Sequence, residues 1–310
     1  MRRYSSLDTK PPSLRLSQAF SVITMVVKHL PAPVKHLLTL RNPGLPLAPP
    51  FSKLHPVLTS TFEDAQKRKA TNGWLTLATC TLLTANLPAS VGQLYQFATR
   101  SDPVSPATRR SVSEAVNKAA LMRESALKSS IFVGVPRTIL SLAGLNEVLE
   151  DDVKAGLRKE PSPKRVPTAE TAAEIVTRGK TLWKSIYTPH DEKLYAKLGG
   201  YHPDFIEFII QAYGAVLSPM PGGAAEQGNL SRALGSVVGT ACLRAETRVG
   251  PQLISHVFGL LKARDVEGLS EEDYWLSTDE GTEWVVRTID EILDVVQPET
   301  SESGQVNAKL

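Results

Sequence analysis

From Glu63 to Val296 the apolar residues return at every third or fourth position, and no run of alternating apolar and polar residues bounded by turn signals breaks that rhythm. A spacing near 3.6 admits helices and leaves no material for a sheet, so an all-α bundle is expected. Nine helices are predicted, over 74–85, 89–98, 108–132, 138–149, 169–186, 203–217, 231–247, 251–263 and 281–296. Pro88, Pro106, Pro136, Pro203 and Pro251 stand near helix starts, where a first turn tolerates a missing N–H. The segment 160–167 (EPSPKRVP) cannot continue a helix and is expected to link two halves, 63–158 and 168–296. A second break, 218–229 (SPMPGGAAEQGN), reads as a flexible loop.

The two halves share a pattern. Val133-Gly134-Val135-Pro136 is followed, after seven intervening residues, by Gly144-Leu145, and Val249-Gly250-Pro251, after seven intervening residues, by Gly259-Leu260. In each, a long helix stops at glycine, proline opens the next, and a second glycine falls where two backbones can approach closely. The shared place in a helical hairpin points to duplication.

The ends differ in composition from the middle. Residues 1–62 carry eight Lys or Arg against one acid, Asp8, and nine of the 22 prolines, so a basic, extended leader is expected there. Its apolar run, 19–27, is far shorter than the roughly 20 residues a spanning helix needs, and no transmembrane segment is expected. Arg2, Arg3 and Arg15 among serines suit either a mitochondrial presequence or a solvated basic arm. Residues 297–310 read as a flexible tail, and Ala308-Lys309-Leu310 matches the small–base–leucine tripeptide read by the peroxisomal import receptor. The expected address is the peroxisomal matrix, with a mitochondrial fate as a second destination.

With 42% hydrophobic and 22% charged residues in 310, the chain can bury a sizeable core. A net charge of +3 gives no reason to expect nucleic acid as a partner. Cys80 and Cys242 are too few for a structural zinc site and lie in apolar stretches, as buried, reduced thiols of an intracellular protein would. His190 and His202 have no Cys or His companion at ligand spacing, so no metal is expected. Glycine-rich phosphate loops, serine elbows and dinucleotide fingerprints are missing, which removes kinase, hydrolase and Rossmann readings and leaves no cofactor to expect.

The stretch from Glu124 through Leu127 and Phe132 to Gly134 and Pro136 resembles the E-x-x-L…(Y/F)-x-G-x-P stretch of the carboxymuconolactone decarboxylase family, within the AhpD-like superfamily. Arg178-Gly179, Asp204-Phe205, Tyr213-Gly214, Arg232, His256 and 269–273 (LSEED) follow that family's order in the second half. The likeness spans about residues 65–295 and is similar to a fungal group with a peroxisomal tail. It implies an AhpD-like helical bundle, a homo-oligomer, and acid–base chemistry on a small organic acid, lactone or acyl-type substrate.

Glu124 and His256 match the family's carboxylate and imidazole and would be the catalytic pair, with Lys128 or Arg137 holding the substrate anion. The hydroperoxidase members instead use Cys-x-x-Cys-x-x-x-His, whose cysteine positions fall here on Val249 and Gln252, so a two-cysteine peroxide cycle is not expected. Plainer roles stand beside these. Glu124 and Lys128 are spaced as a helix-surface pair worth about 0.3 kcal/mol. His256 fits a satisfied core histidine, Arg137 a solvated base, and Arg232 and Arg244 partners of acids on neighbouring helices. A non-catalytic helical scaffold or binding protein is the alternative, with the acidic stretch 265–294 as its docking face.

Overall fold

In the computed structural model, residues 30–41 and 48–297 are described, and they hold fourteen α-helices and no strand. The contacts divide the chain at Pro46–Leu47. The first unit contributes α1 (Ala32–Arg41). The second holds α2 (Phe51–Lys67), α3 (Thr71–Thr84), α4 (Pro88–Thr99), α5 (Val112–Val133), α6 (Val135–Val148), α7 (Asp151–Gly156), α8 (Ala172–Tyr187), α9 (Asp191–Tyr201), α10 (Pro203–Ala212), α11 (Arg232–Glu246), α12 (Gly250–Leu261), α13 (Glu271–Leu276) and α14 (Asp279–Val296). The presequence and tail assignments, including Ala308, Lys309 and Leu310, lie outside the described residues.

Local chemistry explains the helix ends. Ser111 accepts from the Glu114 N–H at 3.2 Å to start α5, and Ser231, Ser270 and Thr278 cap α11, α13 and α14 in the same way. Gly134, at φ +83°, ends α5 and lets Pro136 open α6 at once. The second hairpin turns differently: Thr247 and Arg248 take the positive φ values, and Gly250 does not. The two Gly-Pro corners are alike in sequence but not in backbone.

The expected leader ends earlier than the sequence suggests, because residues 51–62 belong to α2. Pro56 lies inside that helix, yet Leu54, Leu58, Thr61 and Ala65 line up at helical spacing and are buried. Burial of this stripe outweighs the roughly 3 kcal/mol that an interior proline costs. Helix α1 also forms inside the stretch expected to be extended, and α9 and the short α7 and α13 lie outside the predicted helices.

Helices α3 and α11 form the centre. Every residue of α3 from Gly73 to Thr84 is buried, as are the residues of α11 from Arg232 to Leu243. Buried threonines in α3 turn their hydroxyls onto the preceding turn, Thr79 to Leu75 O at 2.7 Å and Thr84 to Cys80 O at 2.8 Å. Around this pair one core joins α2–α7 with α11–α14. A smaller core, built on Leu182, Trp183, Ile186, Ile206 and Ile210, belongs to α8–α10. Packing therefore does not divide at the 158–168 boundary, since α11 and α14 lie against helices of the first half.

The helix expected over 203–217 changes register at Tyr213, where five residues form a π-helical turn, Tyr213–Leu217. Gly179 of α8 and Gly214 of this turn sit so close that a Cβ on Gly214 would overlap the Ile175 carbonyl, and one on Gly179 the Ile210 carbonyl. Gly214→Ala is expected to cost about 1–3 kcal/mol or more in urea unfolding. Gly200→Ala on α9, where a Cβ meets nothing within 4 Å, should instead leave stability unchanged or raise it by about 0.5–1 kcal/mol. Equal effects at the two positions would refute the close seam.

Candidate functional site

Glu124 and Lys128 occupy the inner face of α5, one turn apart, and both are buried. Their carboxylate and ammonium are 3.4 Å apart. The expectation of a surface pair is thus corrected, and the setting is a different one energetically. Lys128 Nζ donates to the carbonyls of Val216, Leu217 and Ser218 at 2.8, 2.8 and 2.9 Å, at the end of the π turn. An ammonium has three donors, and all three are used.

The partner that sequence reasoning missed is Arg165, from the 160–167 link. Its guanidinium grips Glu124 with both terminal nitrogens, Nη1 at 2.9 Å, and reaches Val216 O at 3.3 Å. Burial pushes the Glu124 carboxyl up, but the Arg165 hydrogen bonds and the Lys128 charge more than offset this and hold it below the ordinary carboxylate range. Lys128 is lowered to about 8, first by burial, with Glu124 opposing and Arg165 adding to the shift. The group is a closed triad of one anion and two cations that ties α5, the link and the π turn together.

His256 lies elsewhere, on α12. Its ring meets Phe132 edge-on at 5.0 Å between centroids, and Nε2 is 3.4 Å from the Tyr187 hydroxyl, itself 3.1 Å from the Tyr213 hydroxyl. Gly239 makes room for the imidazole, since a Cβ there would stand 2.6 Å from Nδ1. Arg232 lies nearby, spent on Ser185, Ser236 and the Gly259 carbonyl, with no acid among its partners, whereas Arg244 does pair with Asp290. Burial, then the Arg232 charge, lowers His256 to about 4, so the imidazole is neutral near pH 7. The cavity beside it is about 10 Å³, room for no more than one water.

Glu124 and His256 do not line the same cavity: the first borders a cleft with Arg123 and Arg158, the second the small chamber with Arg232. Arg137 borders neither and instead joins the Thr84 carbonyl to Glu246, tying α6 to the ends of α3 and α11. Cys80 and Cys242, distant in sequence, meet between the two central helices, with Ser129 Oγ donating to Cys80 Sγ at 3.3 Å and burial pushing the Cys80 thiol up. Among the described residues no group of three His, Cys, Asp or Glu is placed to hold a metal ion, and no helix is long and apolar enough to cross a membrane.

One orphan belongs to a residue that borders the Glu124 cleft. The Nη1 of Arg158 is buried with no hydrogen-bond partner, an arrangement that costs on the order of 1–3 kcal/mol or more for a charged group. No family model matches this chain, and no curated protein or solved structure does either.

Proposed function

We propose that this chain is a non-catalytic, AhpD-like helical binding protein of the peroxisomal matrix, assembled as a homo-oligomer, in which the residues of an acid–base site have become structural. The observation that carries this reading is the complete use of Lys128: its three protons rest on three carbonyls, so none is left for a substrate anion. Glu124 is likewise committed to Arg165 and Lys128, and a carboxylate held below its ordinary range is a weak proton acceptor near neutral pH. His256 is neutral but enclosed, with no room beside it for a reacting carbon skeleton.

The test is turnover. Purified protein incubated with small lactones and organic acids, followed by NMR, is expected to leave them chemically unchanged. Conversion that disappears in both Glu124→Gln and His256→Ala would overturn the reading and restore the catalytic pair. Address is tested separately: with Leu310 as the carboxyl terminus, deleting Ala308, Lys309 and Leu310 from a tagged protein should disperse its peroxisomal signal. Deleting residues 1–30 should leave that signal in place. Peroxisomal retention after the first deletion would refute the address.

A further inference from the structure

The cleft bordered by Glu124 holds about 160 Å³ and is walled by Ala120, Leu127 and Leu142 on its apolar side and by Arg123 and Arg158 on its charged side. Neither arginine has a carboxylate partner among the described residues. Arg123 Nη1 donates to the Arg158 carbonyl at 3.3 Å, while Arg158 Nη1 is buried and donates to nothing. Glu124 does not compensate them, because its single charge is already shared between Arg165 and Lys128.

The site is built rather than incidental in its backbone. Gln227 accepts from the Arg158 N–H at 2.8 Å and donates to the Gly156 carbonyl at 2.9 Å, which fixes the turn carrying Arg158 against the cleft. Partial burial of its guanidinium, and then the neighbouring Arg158 charge, lower the Arg123 pKa. Planar guanidiniums offer paired donors whose geometry matches phosphoryl oxygens, and two uncompensated positive charges match a doubly charged anion. The leucines suit a small organic substituent.

We infer that this cleft binds a phosphate monoester of a small organic group, with its phosphoryl dianion on Arg123 and Arg158 and its substituent against Leu127 and Leu142. The inference rests on the reading of the chain as a binding protein and names the ligand class of that protein. A lysine beside the cleft but outside it, Lys159, gives an internal control.

The experiment is a ligand-observed NMR titration of the full-length protein with phenyl phosphate, at constant ionic strength set with sodium chloride. Phenyl phosphate is expected to bind, to weaken about tenfold or more in both Arg123→Gln and Arg158→Gln, and to stay within about twofold of wild type in Lys159→Gln. Benzenesulfonate, with the same ring and one charge, and inorganic phosphate, with no ring, should each bind less tightly. Arg123 is exposed, so its variant reports on the site without threatening the fold. No binding of phenyl phosphate, or equal binding in wild type and both arginine variants, would overturn the site. Benzenesulfonate binding as tightly would overturn the dianion, and inorganic phosphate binding as tightly would overturn the ester. Turnover of bound phenyl phosphate would overturn the non-catalytic reading while leaving the site standing.

Discussion

Glu124→Ala is expected to lower stability by about 3–5 kcal/mol in urea unfolding, because it strands one fully buried and one partly buried cation rather than breaking one surface pair. Lys128 is fully buried and would keep its three carbonyls, but the one anion paired with it among the described residues would be gone. Arg165, whose Nε is already without a partner, would be left with the Val216 carbonyl alone. Two like charges would then face each other across the space the carboxylate had filled. The loss should shrink in a double variant, Glu124→Leu with Arg165→Met, since replacing a buried ion pair by apolar groups of similar volume is often near neutral. A double-mutant cycle through Glu124→Ala and Arg165→Met should therefore return a coupling of about 1–3 kcal/mol. A loss under about 0.5 kcal/mol for Glu124→Ala would return the pair to the surface value and sink the structural role on which the non-catalytic reading stands.

Much of the helical framework was legible because each signal acts within a few residues. Ser111 and Glu114 sit at capping spacing, and Gly134 with Pro136 can do little except close one helix and open another. Local signals mislead where a distant partner decides the outcome. Pro56 argues against a helix until the buried stripe of α2 is counted, and nothing local reveals that stripe's partners in α14 and α3. Lys128 reads as a surface residue because lysine is almost never fully buried unpaired. The three carbonyls that receive it lie at the end of the π turn into which the helix beginning at Pro203 passes at Tyr213. Arg165 was hidden in a stretch read as a link, where its neighbours Pro161, Pro163 and Pro167 say only that helix is forbidden. The family resemblance pairs Glu124 with His256, but nothing in sequence spacing fixes which cavity a side chain enters.

The acid limb of the stability curve should carry the signature of His256. Its pKa in the folded chain is about 4, below the ordinary 6.5. Between those two values the unfolded chain binds a proton that the folded chain refuses, so stability falls as pH drops from 6.5 and this contribution levels off below 4. The full difference corresponds to about 3 kcal/mol. Glu124, Glu114 and Glu150, all held below their ordinary range, add their own losses, chiefly as the pH falls through and below the ordinary 4.5, so the wild-type curve alone cannot isolate the histidine. His256→Gln keeps a polar side chain near the Tyr187 hydroxyl but cannot take up the proton. The difference between wild type and this variant, from urea unfolding at intervals between pH 4 and 7.5, should change by about 3 kcal/mol across the window, with the variant gaining relative ground at low pH. Parallel curves would mean that the imidazole reaches water, which would reopen His256 as a proton carrier. A buried ring that must stay neutral gives the protein a fixed packing partner for Phe132 and Tyr187, and it does so at the expense of the proton exchange an acid–base catalyst needs.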